Sequence, residues 1–307
     1  MNHVIETHNL TRRFGKTGAV DNLTLAVPQG SIYAFLGPNG AGKTTTIKML
    51  LNILRPTAGA ASVLGVDSTR LGPSEFARIG YVSENQKLPE WMTVAQLIEY
   101  CRPMYPDWDK AFCEKLRGQF DLPPDRKLKN LSRGMKVKAA LLVSLAYRPR
   151  LLVLDEPFTG LDPLVRDEFI RGILELSDEG NWTVFISSHD IDEVERLADW
   201  VGIINCGRLT LAESAAALQA RFRRIECVVS ETARLPASLP PSWLVPEIAG
   251  HSVCVVESLY QAGSSEARVR EMLPDAGQIT ATPLSLRDIF LVLARTYRLN
   301  NPSESQS

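Results

Sequence analysis

Gly37-Pro38-Asn39-Gly40-Ala41-Gly42-Lys43-Thr44 sets three glycines ahead of a lysine and a hydroxyl residue, the spacing GxxxxGK[ST]. Glycines let a backbone wrap closely, so that successive N–H groups converge on the oxygens of a phosphate. A helix starting behind the loop adds the partial positive charge of its N-terminus. The Lys43 amino group has the length to reach the outer phosphates of a nucleoside triphosphate, and the Thr44 hydroxyl suits a magnesium ligand.

Two acids, Asp155 and Glu156, close the apolar run Leu151–Leu154. Acids at the C-terminal end of a buried parallel strand lie where α/β sheets bind ligands. Asp155 suits a magnesium shell. Glu156, one residue on, points elsewhere and can orient or deprotonate an attacking water. His189 follows a further run within Ser187-Ser188-His189-Asp190. A histidine at that same sheet edge can contact the terminal phosphate or the water.

Short apolar runs alternate with helical patterns from Val4 to Leu211, which predicts an α/β domain. The runs are Ile32–Leu36, Arg78–Val82, Leu151–Leu154, Thr183–Ile186 and Val201–Ile204. Two of them are almost continuously apolar, as strands buried on both faces are. A helix is predicted over Thr45–Leu51, directly behind the glycine-rich loop. Between Glu84 and Tyr147 the pattern turns helical. Thr93 with Gln96 forms a capping box, Asp109 opens a second helix in which Phe112, Leu116 and Phe120 recur, and Ser132–Tyr147 reads as a third.

The chain has 307 residues, 34 Lys and Arg against 35 Asp and Glu, and 45% apolar residues. That composition excludes wholesale disorder. The charge balance excludes a global basic field and argues against nucleic acid as a partner. No 18-residue apolar run is present, so the chain is not expected to span a membrane, and its start lacks the pattern of a secretory signal. Five scattered cysteines and four histidines without ligand spacing suggest neither disulfides nor a zinc site, and buried cysteines in a reducing cytosol fit them.

Together these residues resemble the ATP-binding subunit of an ABC transporter. Leu131-Ser132-Arg133-Gly134-Met135, beginning 24 residues before Asp155, resembles the signature LSGGQ. Gly160-Leu161-Asp162 resembles the D-loop, and His189 the switch histidine. Phe14 sits where the family places a ring against adenine, and Glu84 where it usually has the Q-loop glutamine. The resemblance covers about residues 4–220. It implies a P-loop NTPase sheet with an ABC-type helical insertion, followed by a small C-terminal accessory α/β unit.

It also implies ATP on Phe14, Gly37, Pro38, Asn39, Gly40, Ala41, Gly42, Lys43, Thr44 and Thr45. Ser132, Gly134 and Asp162 would meet the ATP across a head-to-tail dimer, made with a second copy or with a paralogue. Mg²⁺ would be held by Thr44, Asp155 and Glu84. Glu156, His189 and Lys43 would carry catalysis. The activity implied is ATP hydrolysis that energises a separate transmembrane permease, with the chain peripheral on the cytoplasmic face of the cell membrane. The ending Ser285-Leu286-Arg287-Asp288-Ile289-Phe290 looks like that of subunits serving small two-component exporters. The alternatives are a soluble ABC-type ATPase acting on ribosomes or DNA, and a regulatory ATPase uncoupled from transport. A single phosphate loop and the lack of a heptad run count against the first.

Three positions depart from the pattern, one of them Met135 in place of the signature's glutamine. Arg133 replaces a glycine, and either brings positive charge to the nucleotide or is simply solvated while Ser132 and Gly134 face the ligand. Glu84 replaces a glutamine and adds negative charge near phosphates. Residues 1–221 are expected to form the nucleotide-binding domain, with the helical insertion at about 84–147 as docking surface and Trp91, Met92 and Tyr105 as candidate anchors. Residues 222–299 are expected to form the accessory unit, with a proline-rich loop at 235–246, strands at Cys227–Ser230 and Val253–Val256, and a helix at Leu284–Arg298. A disordered tail is expected at 300–307.

Overall fold

The computed structural model describes residues 2–84, 86–179, 182–230, 234–236 and 238–300. The chain divides into two compact units, 1–212 and 213–307. Of the tail expected at 300–307, Asn300 instead ends a helix, and residues 301–307 lie outside the described residues.

The first unit opens with β1 (His3–Phe14), β2 (Thr17–Leu23) and β3 (Ala26–Pro28). Next come β4 (Ile32–Leu36), α1 (Lys43–Leu50), β5 (Ala58–Val63) and β6 (Val66–Asp67). The short helix α2 (Pro73–Phe76) leads into β7 (Ile79–Ser83). Three helices follow, α3 (Val94–Cys101), α4 (Lys110–Gln119) and α5 (Arg133–Leu145). The unit closes with β8 (Leu151–Asp155), α6 (Pro163–Glu179), β9 (Thr183–Ser188), β10 (Trp200–Asn205) and β11 (Arg208–Ser214).

The central sheet runs β11-β10-β4-β9-β8-β7. From β10 to β7 every neighbouring pair is parallel. All residues of β4, β8 and β9 are buried, which is why these runs carry so few polar side chains. Tyr33 of β4 stacks on Phe185 of β9 with ring centroids 5.7 Å apart, and Phe35 packs against the same ring, tilted, at 5.3 Å. Strand order places the C-terminal ends of β4, β8 and β9 side by side, and these three ends carry the glycine-rich loop, Asp155 and the segment before His189.

A second sheet, β2-β1-β5-β6 with β3 also on β1, is antiparallel. The sequence reading did not foresee it. Strand β1 buries Thr7 and Thr11, whose hydroxyls donate to Leu23 O at 2.9 Å and Asn9 O at 3.1 Å. These buried polar residues break the alternation that marks a strand.

The three helices in the 84–147 stretch start where their caps predict. Thr93 accepts from Gln96 N at 3.2 Å while Gln96 accepts from Thr93 N at 2.9 Å. Asp109 accepts from Phe112 N at 2.9 Å, and Ser132 from Met135 N at 3.2 Å. The candidate anchors separate: Trp91 is 68% exposed, Met92 is buried at 5%, and Tyr105 stacks on Tyr147 with centroids 3.8 Å apart. Met92 is thus packed in the core and Tyr105 against Tyr147, which leaves Trp91 as the exposed one of the three.

The second unit comprises α7 (Ala215–Arg221), β12 (Arg223–Val228), β13 (Trp243–Ala249), β14 (Ser252–Glu257), α8 (Ser264–Met272), β15 (Ile279–Pro283) and α9 (Leu286–Asn300). Its sheet runs β13-β14-β12-β15, antiparallel throughout. Ile225, Cys227, Val253 and Val255 pack with Val269 and Leu273 at α8. The division between the units falls before α7, nine residues upstream of the expected boundary, and α7 packs against α9. The proline-rich stretch is part strand: Pro246 lies in β13, where the pairing with β14 shifts register between Leu244 and Glu247. No helix among the described residues is long and apolar enough to cross a membrane.

Candidate functional site

The glycine-rich loop links β4 to α1. Gly42 caps α1 with φ +107, a conformation that L side chains rarely adopt, and a Cβ there would stand 2.4 Å from Ala19 O. A Cβ on Gly37 would stand 2.3 Å from Ile204 O. The loop therefore rests directly on β2 and β10. The β10–β11 turn braces it as well, since Gly207 N donates to Ala41 O at 2.9 Å and Asp21 N to Gly207 O at 2.9 Å. Cys206, exposed, sits on that turn. The N–H groups of the first helical turn have no partner within the helix, so the loop and α1 together present donors to an anion.

Lys43 is 4% exposed. Its Nζ donates to Gly37 O at 2.6 Å and Pro38 O at 3.0 Å, and lies 3.0 Å from Glu156 Oε1. Oε1 has no aligned hydrogen bond, so the contact with Lys43 is one of charge. The other carboxylate oxygen, Oε2, is 2.8 Å from His189 Nδ1 and 3.5 Å from Thr159 Oγ1. Glu156 has φ +52 and is 8% exposed. This left-handed turn swings its side chain off the line of β8 toward Lys43 and His189, at a cost in backbone strain.

Asp155 is buried and takes a different set. Thr44 Oγ1 donates to its Oδ1 at 3.1 Å, and Ser187 Oγ donates to the same oxygen at 2.8 Å. Burial pushes the Asp155 carboxyl above the ordinary carboxylate range. The Ser187 and Thr44 bonds and the Lys43 charge pull it back, while the neighbouring Glu156 charge adds to the rise. A carboxyl raised on folding contributes stability below its unfolded pKa and loses it as pH climbs through the folded value. Burial thus makes the ionised form of Asp155 costly to the fold. Asp155→Asn is expected to melt at or above the parent temperature at pH 7 without ligand, as read by thermal denaturation.

Five of the residues singled out from sequence thus fall into two adjoining sets, Lys43 with Glu156 and His189, and Thr44 with Asp155. Ser187 is fully buried, and nothing in its local sequence marks a role for it. It ties the acids together, donating to Asp155 and accepting from Glu156 N at 3.1 Å. Other expected residues hold structural positions in the single chain. Asp162 Oδ1 accepts from Leu164 N and Val165 N at the start of α6. Gly134 is buried against Val165, where a Cβ would meet Cγ1 at 2.7 Å. Phe14 is 48% exposed under the Arg12 guanidinium at 4.6 Å, on the hairpin whose β2 touches Gly42. The Glu84 backbone N donates to Asp155 O at 2.9 Å, but its carboxylate turns to Arg133.

A glycine-rich loop between β4 and α1, with two acids at the end of β8, the next strand but one of the parallel sheet, defines a P-loop nucleoside-triphosphatase. Residues 20–159 match the family model described as ABC transporter, and a model described as an AAA domain matches residues 124–195. The bacitracin transport ATP-binding protein BcrA of Bacillus licheniformis is 33% identical over 299 residues, 95% of this chain and 98% of that protein. The daunorubicin/doxorubicin resistance ATP-binding protein DrrA of Streptomyces peucetius is 39% identical over 210 residues, 67% of this chain and 63% of that protein. Among solved structures, an ATP-binding subunit of an ABC transporter aligns with TM-score 0.64 at 26% identity, covering 71% of this chain and 92% of that one. An ATP-binding cassette in its ADP conformation gives 0.61 at 24% identity, over 70% and 92%. The chain belongs to the ABC transporter ATP-binding proteins. As a member of that family it binds ATP and is an ATPase.

Proposed function

We propose that this chain drives export of a small molecule through a separate permease, with Glu156 as the base in ATP hydrolysis. The observation that carries the assignment of the base is the Glu156 carboxylate held between Lys43 at 3.0 Å and His189 at 2.8 Å. With ATP bound, Lys43 turns from Glu156 to the phosphate oxygens, joining the loop N–H donors. Glu156 then has an oxygen available to accept the proton of the attacking water, and His189 holds the other. Thr44 and Asp155, whose oxygens are already 3.1 Å apart, fit a magnesium ion. That ion supplies charge neutralisation on the phosphates when bound. Export is favoured because relatives are described as bacitracin transport and daunorubicin/doxorubicin resistance proteins.

Two cassettes, identical or paralogous, work as a dimer in this reading, and the chain sits on the cytoplasmic face of the membrane through the permease. The test is a mild-detergent pull-down of the tagged chain from its native membranes, with mass spectrometry of what accompanies it. A stoichiometric multi-spanning protein is expected. Recovery of the chain alone, or with ribosomes or nucleic acid, would sink the transport reading.

A further inference from the structure

Two of the three departures from the family pattern, Arg133 and Glu84, meet each other. Arg133 Nη2 lies 2.9 Å from Glu84 Oε1, joining residues 49 apart in sequence. The guanidinium also covers Gly160, where a Cβ would stand 2.6 Å from Nη1 and 2.9 Å from Cζ. One turn along α5, Lys136 pairs with Glu90 of the loop that follows Glu84, at 3.3 Å. The backbone of Glu84 is meanwhile fixed to Asp155 O at 2.9 Å. The carboxylate therefore starts beside the magnesium-binding acid and is drawn off it by an arginine.

We propose that Glu84 is not a magnesium ligand but the counter-charge of Arg133. The two form a positioning pair that keeps a carboxylate away from the phosphates and pins the loop after β7 to the start of α5, over Gly160. A lone carboxylate at position 84 would repel the nucleotide, and a lone arginine at 133 would sit without a partner over the Gly160 turn. Together they restore the neutral balance that glutamine and glycine give the family pattern. The inference rests on the site being an ATP site.

The experiment is an equilibrium titration with a fluorescent ATP analogue, with and without Mg²⁺, on the parent, R133A, E84A, the double variant and R133K. Both side chains are partly exposed, 50% and 31%, and unchanged melting temperatures would show that the variants fold. R133A is expected to weaken binding about threefold to fivefold, the scale of a partly exposed ion pair. The double variant and R133K are expected within about twofold of the parent, on the same scale. E84A is expected to keep the parent's Mg²⁺-dependent tightening. A double variant as weak as the product of the singles, or loss of that tightening in E84A, would overturn the pair. Failure of the parent itself to bind the analogue would instead overturn the ATP reading, and the pair with it.

Discussion

Glu156→Gln is expected to bind ATP within about twofold of the parent and to turn it over at least about 100-fold more slowly, the scale of a lost general base. The amide keeps the shape of the side chain and an acceptor for its neighbours, but it cannot take a proton from water. The fold should survive the change. Lys43, left without its carboxylate, still donates to Gly37 O and Pro38 O at 2.6 and 3.0 Å. If two cassettes pair as proposed, the closed ATP-bound dimer should then accumulate, because hydrolysis would be what reopens it. Steady-state ATPase rates and size-exclusion chromatography with ATP read the two effects. Turnover equal to the parent's would remove Glu156 from the role of base.

Lys43→Ala reaches the same ion pair from the other side, and its outcome differs. Glu156 loses its charge partner while buried, with only the His189 ring and the Thr159 hydroxyl beside it. Stranding one member of a buried ion pair costs about 3 kcal/mol or more, whereas removing both members is far milder. The ligand-free variant should therefore melt roughly 6–12 °C below the parent. Glu156→Gln in the same chain should recover much of that loss. ATP binding should fall about 100-fold, since one truncated charge-to-phosphate contact is worth about 2–5 kcal/mol. Differential scanning calorimetry and isothermal titration check the two halves separately. A melting point unmoved by Lys43→Ala would mean that the pair with Glu156 is not held in solution.

The residues gathered around Lys43 and Asp155 were legible in the sequence as a candidate site because each of its parts is local. GxxxxGK[ST] is a loop read from eight consecutive residues, and Asp155-Glu156 follows a run so apolar that only a buried strand fits it. The capping box at Thr93 located α3 for the same reason. What escaped depends on partners remote in the chain. Ser187 gains its meaning from Asp155, 32 residues away, and Arg133 from Glu84, 49 residues away. Arg133 keeps the exposure that its solvated reading implies, and the ion pair with Glu84 is what the sequence alone does not show. The antiparallel sheet was missed because Thr7 and Thr11 are buried with their hydroxyls satisfied, which pattern alone scores as exposed. In the second unit, Pro246 argued for a loop while the chain used it at a register shift in β13.

The turn that props the phosphate loop has a practical side. Of the five cysteines, Cys206 is the exposed one and stands next to Gly207, whose N–H holds Ala41. Burial raises the thiols of Cys101, Cys227 and Cys254 and pushes Cys113 up to about 12, so none of these four offers much thiolate near neutral pH. A maleimide dye offered to the unaltered protein would accordingly concentrate on one sulfur, a hydrogen bond away from the loop that receives the nucleotide. The chain thus carries its own attachment point for an optical reporter of loop movement, with no cysteine to remove and none to add.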